Sequence, residues 1–336
     1  MRVAPLSSAT IIAILCGLLL ATGIGALAIG ATGLGFGAVF GTDASGDVAR
    51  LVITQIRAPR VAFAMLAGAA LASSGAVMQG LFRNPLADPG LIGVSSGAAL
   101  GAALVIVLGL GGLFASWAVP LGGMAGGLAS TALLYGFSTR DGVMSTNTVI
   151  LAGVALGAFS GALTGILIFR ANDTALRDLT FWTMGSLAGA TWTRIGLLMP
   201  FLIVAAVLIG VLATPLNALL LGDTDAALMG YRVERSKRLA MLGVALATGP
   251  VVAFAGVIGF VGVVVPHLVR LTTGPDHRVV LPCSALLGAI LLVCADTIAR
   301  IVAIPADVPV GVVTAAIGAP VFVWLLARAE RGDAPS

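Results

Sequence analysis

Long apolar runs separated by short polar segments make up most of this chain. Ten runs are candidates for membrane-spanning helices, because about 20 apolar residues at about 1.5 Å per residue cross a ~30 Å hydrocarbon core. The pattern therefore predicts an all-α polytopic membrane protein with a single transmembrane domain over residues 1–336. The predicted spans are 9–35, 61–82, 91–112, 115–137, 144–169, 195–221, 239–255, 256–271, 279–299 and 308–327.

The apolar run 239–271 is the doubtful place in this count. As one straight helix it would overrun the hydrocarbon core by more than half, and it contains Gly249-Pro250 and later Pro266. Proline lacks the N–H that a helix interior needs. We therefore expect two shorter spans joined by a turn at Gly249-Pro250, which gives an even number of spans and both termini on one side.

Composition supports a membrane protein, since 59% of the residues are hydrophobic and the mean hydropathy is +1.11. The first run is too long for a signal-peptide core and lacks a clear cleavage site, so it is expected to be a retained span. Cys16, Cys283 and Cys294 lie far apart in apolar stretches, which is typical of packed hydrophobic positions rather than disulfides or metal ligands. A net charge of +4 gives no indication of nucleic-acid binding.

The distribution of basic residues indicates the orientation. More arginines, and the only lysine, Lys237, fall on the side of the termini, so the positive-inside rule places both termini in the cytoplasm. The segment 57–72 also resembles 235–247, and the two open spans that run in opposite directions. Such a match indicates an inverted repeat, a common plan among transporters.

Two segments are candidates for a transport pathway. "RNPLADPG" (83–90) contains Pro85 and Pro89, so it is either a plain turn between spans or irregular backbone that lines a cavity. In the fifth span, glycine recurs at every fourth position. This stripe favours close helix packing, a smooth face on a pathway, or both at a dimer axis. Its members are Gly153, Gly157, Gly161 and Gly165.

The chain shows no catalytic constellation. His267 and His277 have no Glu or Cys at metal-ligand spacing, so they are expected to be solvated or hydrogen-bonded loop residues. Polar groups inside the spans are too few for a membrane enzyme or an ion-coupled carrier. The chain also lacks the P-loop pattern of an ATPase. It therefore resembles a passive conduit that needs an external source of energy.

The segment 222–238 concentrates charge between two spans. Asp223 and Asp225 are expected to cap a short helix, and Gly230 is expected to end it. Such a helix would direct Leu228, Met229 and Tyr231 to the cytoplasm as a surface for a soluble partner. A solvated connector is the alternative from these residues alone.

Several long motifs resemble the FecCD-type permeases, the membrane subunits of ATP-binding-cassette (ABC) importers for haem, ferric siderophores and cobalamin. The resemblance covers nearly the whole chain. It is carried by "RAPRVAFAMLAGAALASSGAVMQGLFRNPLADPGLIGVSSGAALGA" (57–102), "STNTVILAGVALGA" (145–158), "GVIGFVGVVVPHLVR" (256–270), "DHRVVLPCSALLGA" (276–289), "ADTIAR" (295–300) and "PVGVVTAAIGAPVFVWLL" (309–326).

The resemblance implies a type II ABC importer fold with ten spans, surrounded by membrane lipid. It also implies a homodimer, two cytoplasmic ABC ATPase subunits that bind ATP and Mg²⁺, and a periplasmic substrate-binding protein. The permease itself would bind no cofactor, metal or nucleic acid.

The resemblance also assigns roles to residues. It implies a coupling helix at about 222–232 that contacts the ATPase, and arginines that receive glutamates of the binding protein. For Arg300 an ion pair with Asp296, one helical turn earlier, is the alternative. The glycine stripe would lie along the pathway. The coupling residues are Asp223, Asp225, Leu228, Met229, Gly230, Tyr231 and Arg232; the docking arginines are Arg57, Arg60 and Arg300; the cytoplasmic gate residues are Asn84, Leu86, Ser145 and Thr146.

The substrate is expected to be haem, because "ALRDLTFWTMGSLAGATW" (175–192) looks more like the haem permeases than the cobalamin permeases. A ferric siderophore is the second choice and cobalamin the third. A stand-alone carrier or channel, which needs no ATPase, is the alternative from a different class.

Overall fold

The computed structural model describes residues 7–30, 46–110, 115–140 and 143–330. In these ranges the regular structure is helical except for one antiparallel pair of two-residue strands, β1 (Thr139–Arg140) and β2 (Val143–Met144). A π-helical turn (Val52–Arg57) joins α2 to α3, and a 3-10 turn (Pro89–Ile92) precedes α4. The α-helices are α1 (Ser8–Ala28), α2 (Gly46–Leu51), α3 (Ala58–Phe82), α4 (Val94–Leu108), α5 (Ala115–Ser138), α6 (Thr146–Arg170), α7 (Asp173–Thr183), α8 (Trp192–Val211), α9 (Ala213–Leu219), α10 (Asp223–Leu228), α11 (Val233–Ala255), α12 (Val261–Thr273), α13 (His277–Ile301) and α14 (Val310–Glu330).

Every predicted span overlaps an observed helix. Seven described helices are long and apolar enough to cross a membrane, and α4, α12 and the first part of α14 are shorter apolar helices. The all-helical membrane fold is therefore confirmed, whereas the number of ten crossing helices stays a prediction. The sixth span, 195–221, differs in extent because it is divided at Leu212 into α8 and α9. Residues 31–35 of the first span and 111–112 of the third lie outside the described ranges.

The run 239–271 is broken at a different place from the one predicted. Helix α11 continues through Pro250 to Ala255, and α12 begins at Val261 with Pro266 inside it. Left-handed backbone at Gly256 (φ 75°) and Phe260 (φ 67°) separates the two helices. Neighbouring groups compensate for a proline inside a membrane helix, whereas a left-handed residue ends the helical geometry. The predicted Gly249-Pro250 turn is therefore wrong.

Helices α3, α11 and α13 form the centre of the bundle. Their most apolar windows are 72%, 72% and 56% buried, against 17–28% for α1, α5, α6 and α8. Glycine allows the central backbones to approach closely: a Cβ at Gly68 would overlap the backbone of Gly288, and one at Gly75 would overlap that of Gly262. Small residues at contacts are the usual way in which helices pack in a membrane.

The two ends of the bundle are defined by contacts between antiparallel helices. Arg60 at the start of α3 pairs with Asp296 near the end of α13, whereas Gly80 near the end of α3 lies against His277 at the start of α13. A cleft at this second end is also lined by Lys237 at the start of α11. We call these the Arg60 end and the Lys237 end. The related starts of α3 and α11 thus lie at opposite ends, although the inverted repeat itself stays a prediction.

Candidate functional site

The segment predicted to be a coupling helix is a short helix at the Lys237 end. Helix α10 runs from Asp223 to Leu228, and Gly230 follows with φ 89°. The predicted glycine stop is therefore confirmed. Leu228 is 82% exposed and Met229 is 59% exposed, so both present apolar surface away from the bundle. Tyr231 is half-buried and packs against the core, so the prediction that it faces outward is wrong.

The two aspartates of α10 do not cap it. Gly222 is the N-cap residue and makes no side-chain cap hydrogen bond, and Asp223 and Asp225 lie in the first turn. Their carboxylates still oppose the positive end of the helix dipole. The carboxylate of Asp223 instead forms an ion pair with Lys237 Nζ at 2.7 Å. The predicted capping role is therefore wrong for both residues, and for Asp223 the reason is that a stronger charged partner lies within reach.

Lys237 is a buried cation that joins three segments. Besides Asp223, its Nζ donates to the carbonyl oxygen of Met144 at 3.1 Å and to Glu234 Oε1 at 3.4 Å. Glu234 Oε2 in turn accepts a hydrogen bond from the Met144 N–H at 2.7 Å. We call Met144, Asp223, Glu234 and Lys237 the lysine cluster. It ties the start of α11 to α10 and to the strand that leads into α6.

The first pair of predicted gate residues lies in an ordered turn. Arg83 ends α3 in a left-handed conformation (φ 50°). The side chain of Asn84 then accepts a hydrogen bond from the Leu86 N–H at 2.9 Å, and both residues are exposed. Asp88 accepts from the Gly90 N–H and starts the 3-10 turn. Burial raises the pKa of Asp88, and this hydrogen bond opposes the rise.

The second pair of predicted gate residues opens α6. Ser145 is the N-cap residue, and its Oγ accepts a hydrogen bond from the Thr148 N–H at 3.4 Å. Ser145 and Thr146 line a cleft of about 690 Å³ together with Arg83, Asp223 and Lys237. The structure therefore brings one predicted gate segment and the first residue of α10 to the same cleft. Asn84 and Leu86 belong to the turn that begins at Arg83.

The glycine stripe of α6 has two different environments. A Cβ at Gly153 would overlap the carbonyl oxygen of Leu91, so this glycine serves close packing. A Cβ at Gly157, Gly161 or Gly165 would meet nothing within 4 Å. Packing within the subunit thus explains one member of the stripe, and the other three form an open, smooth face.

Three arginines converge at the Arg60 end. Arg60 pairs with Asp296 at 2.9 Å and with Asp307 at 2.6 Å, and Arg300 pairs with Asp296 at 3.2 Å. The Arg57 guanidinium donates to the carbonyl oxygens of Leu27 and Ala28 at the end of α1. We call Arg57, Arg60 and Arg300, together with the two aspartates, the arginine cluster.

The arginines of this cluster are buried. All three arginines are less than a tenth exposed, so they are held by groups of this chain rather than extended into solvent. The alternative considered for Arg300, a pair with Asp296, is present.

A polar cluster that the sequence did not indicate surrounds the buried His277 at the Lys237 end. Asn217 of α9 accepts hydrogen bonds from His277 through the backbone N–H and Nδ1, at 2.8 and 2.9 Å. Arg270 Nη2 lies 3.1 Å from His277 Nε2. Because Asn217 Oδ1 only accepts and Arg270 only donates, His277 holds its proton on Nδ1. Arg270 also donates to Gln79 Oε1 at 2.6 Å.

Neither histidine lies in a loop as expected, since His267 is inside α12 and this cluster contains His277. His277 is hydrogen-bonded, as predicted, but it is fully buried at the start of α13 rather than solvated in a loop. Asp276 before it keeps a pKa below the ordinary value, because its carboxylate accepts hydrogen bonds from the Arg278 N–H and from Asn217. Among the described residues, no three His, Cys, Asp or Glu side chains are grouped to hold a metal ion.

Comparisons with known proteins agree with this arrangement of helices. Residues 14–328 match the FecCD transport family. The chain is 43% identical to the hemin transport system permease protein HmuU of Yersinia pestis, over 93% of each chain. It is 46% identical to the vitamin B12 import system permease protein BtuC of Salmonella typhi, over 84% of this chain and 85% of that protein. A solved inward-facing conformation of a metal-chelate type ABC transporter covers 95% of this chain and 99% of its own, with 32% identity and a TM-score of 0.86.

These matches define a membrane permease subunit, and the chain belongs to the FecCD transport family. It is the permease component of an ABC importer of the group that moves haem, cobalamin or siderophores. It is accordingly a multi-pass protein of the inner membrane and acts as a transport subunit.

Proposed function

We propose that this permease moves haem from a periplasmic binding protein into the cytoplasm, in a homodimer driven by two ABC ATPase subunits. The observation that carries the substrate choice is the outer segment 175–192, which looks like the haem permeases. The match to the haemin permease of Yersinia pestis, over 93% of both chains, supports it. The vitamin B12 permeases match at similar identity over a shorter range, so cobalamin is the competing substrate, with ferric siderophores.

In this proposal the Lys237 end faces the cytoplasm and the ATPase binds at α10. Exposed Leu228 and Met229 provide apolar contact, and exposed Arg232 provides charge beside them. Both chain termini lie on the same side. Closure of the ATPases upon ATP binding displaces α10, and the spans then reorient around the pathway. The ATPases supply the nucleotide and Mg²⁺ chemistry, and the permease supplies the route.

The dimer axis and pathway are assigned to α6. This helix exposes large apolar side chains, among them Leu151, Phe159 and Phe169, and three glycines of its stripe face open space. A second copy of the chain covers part of this face, and the smooth remainder borders the pathway. Ser145 and Thr146 at its start, with Asn84 and Leu86, close the cytoplasmic mouth.

Disulfide cross-linking tests the gate. S145C and L86C variants are prepared after Cys16, Cys283 and Cys294 are replaced by serine. Each variant is expected to cross-link across the dimer in one nucleotide state of the assembled transporter and not in another. Absence of cross-linking in every nucleotide state would reject the gate assignment.

Docking of the binding protein is assigned to the arginine cluster, because the planar guanidinium group of arginine suits the carboxylates of an acidic partner. Reversal of Arg60 to Glu is a poor test, since it would bury a carboxylate beside Asp296. Arg57→Gln removes one positive charge and keeps amide donors for Leu27 and Ala28. We expect it to weaken association of the binding protein about ten-fold while ATPase assembly is retained. Exposed Arg50 provides the matched control, Arg50→Gln, and equal binding by both variants would reject the assignment.

Uptake into proteoliposomes tests the function as a whole. The permease is reconstituted with its ATPase and binding protein, and haem, a ferric siderophore and cobalamin are offered separately. Haem uptake that requires ATP is the expected result. ATP-dependent uptake of another ligand would retain the importer and reject the substrate assignment from 175–192. Uptake that persists without ATP and the ATPase would instead identify a stand-alone carrier.

A further inference from the structure

The lysine cluster joins two segments to which the proposed function gives separate tasks. Asp223 is the first residue of α10, and Met144 directly precedes Ser145, which starts α6. Lys237 contacts both within 3.1 Å from the first turns of α11. The connection runs through α11, which is one of the two most buried spans.

The cluster holds the backbone of Met144 at both polar groups. Its carbonyl oxygen accepts from Lys237, and its N–H donates to Glu234 at 2.7 Å. The side chain of Met144 is also buried. A displacement of Met144 relative to α11 therefore breaks two charge-assisted hydrogen bonds together, whereas a joint displacement breaks neither.

The cleft beside Lys237 is not suited to bind an anion through this residue. An ammonium group has three N–H donors, and Lys237 Nζ has oxygens of Asp223, Met144 and Glu234 within 3.4 Å. Its side chain is only 3% exposed. The cation is thus saturated by groups of this chain, which is the arrangement of an internal tie rather than a ligand site.

We propose that Lys237 and Glu234 are positioning residues that make α10 and the start of α6 move as one body. This inference rests on the proposed function, because it assigns the path by which the ATPase operates the gate. Lys237 holds the moving helix through Asp223, and the Lys237–Glu234 pair holds the gate segment through Met144. Without the pair, α10 still binds the ATPase, but its displacement no longer reaches Ser145.

The test measures transported haemin per ATP hydrolysed by the complete transporter in proteoliposomes. Lys237→Met keeps an unbranched side chain, one heavy atom shorter, and removes its charge. We expect it to retain ATPase binding and hydrolysis and to lower the transport ratio about ten-fold, a change in coupling between sites. The exposed cation on the same helix gives the matched control Arg235→Gln, which is expected to keep the ratio.

A second variant distinguishes loss of coupling from a defect in folding. Lys237→Met leaves the carboxylates of Asp223 and Glu234 without their cation, so Glu234→Gln combined with Lys237→Met removes one of these charges. The double variant is expected to assemble with the ATPase and to show the same low ratio. In both variants, S145C cross-linking is expected to become independent of nucleotide.

Three outcomes would overturn the proposal. The first is a normal transport ratio in either variant, and the second is nucleotide-dependent cross-linking that persists in both. The third is failure of both variants to bind the ATPase, which would show that the cluster only supports the structure of α10. Failure of the proposed function is distinguished by the unmodified transporter, which would then show no ATP-dependent haemin uptake under the same conditions.

Discussion

Helices α3 and α6 are alike in sequence character and opposite in environment. Each has 25 residues, and the spans that contain them have similar mean hydropathies of 1.8 and 2.0. The apolar window of the first is 72% buried within the subunit and that of the second 17%. Hydropathy thus places a helix in the membrane, but it does not decide whether the helix meets its own subunit, a second copy or lipid, because lipid is as apolar as a protein core.

Glycine shows the same difference at the scale of single residues. Gly75 of α3 lies against the backbone of Gly262, whereas Gly161 of α6 faces space in which an added Cβ would meet no atom within 4 Å. One glycine is required by the fold of the subunit, and the other is available for a function outside it. Substitutions at the two helices separate these roles.

The largest effect is expected for Gly75→Val. Its side chain would overlap the Gly262 backbone, which cannot move aside as a flexible side chain does. We expect destabilisation above about 3 kcal/mol and loss of folded subunit, since overpacking against backbone is among the most damaging core changes. Size-exclusion chromatography and thermal unfolding in detergent measure this. A well-folded variant would show that α3 is not packed backbone to backbone.

The next effect is expected for Gln79→Leu, also on α3. Gln79 accepts a hydrogen bond from Arg270 and donates to the Val263 carbonyl oxygen at 3.0 Å. Its removal leaves a buried guanidinium with fewer acceptors, which costs about 1–3 kcal/mol. Thermal unfolding checks the value, and Thr272→Ala at the exposed end of α12 is the control. Equal unfolding temperatures for Gln79→Leu and Thr272→Ala would show that this cluster does not stabilise the fold.

A smaller effect is expected for Gly153→Ala, at the one stripe position of α6 that packs inside the subunit. The new methyl group would press on the Leu91 carbonyl oxygen, so we expect destabilisation of about 1–2 kcal/mol. The same measurement on Gly157→Ala provides the comparison within the helix. If the two variants unfold alike, the division of the stripe between packing and open face is wrong.

The smallest effect on stability is expected for Gly161→Val. Since nothing lies near its Cβ, the subunit should change by less than about 0.5 kcal/mol. Dimer formation or ATP-dependent uptake should nevertheless fall, because the open face of α6 is assigned to the dimer axis and pathway. Unfolding and uptake are measured on the same preparation. Unchanged stability together with unchanged transport would assign this face to lipid.

Much of the fold was predictable, because apolar runs and helix-ending residues act locally. The spans and the stop at Gly230 followed from such signals. Pro250 misled the prediction because its effect depends on neighbouring helices, whereas the left-handed Phe260 that separates α11 from α12 has no sequence signature. Asp296 of the arginine cluster lies 236 positions from Arg60, and a single sequence gives no means of pairing such distant residues.

Part of the lysine cluster could have been predicted from the sequence. The charge run 232–238 suggests a solvated face, yet Lys237, Met241, Val244 and Thr248 recur at helical spacing and are all buried. Arg235 and Arg238 fall on the exposed face. Helical periodicity would therefore have indicated that Lys237 points inward. The contact with Met144, 93 positions away, required the structure.

Lys237 has a further consequence for chemistry, because it is the only lysine of the chain. Acylating reagents attack an unprotonated, accessible amine, and this one is buried and held in an ion pair. Its ε-amine should resist modification while the cluster is closed and react once Asp223 withdraws. The rate at which Lys237 is acylated in the native protein therefore reports how often the cluster opens. Peptide mass mapping can measure this rate without any engineered label.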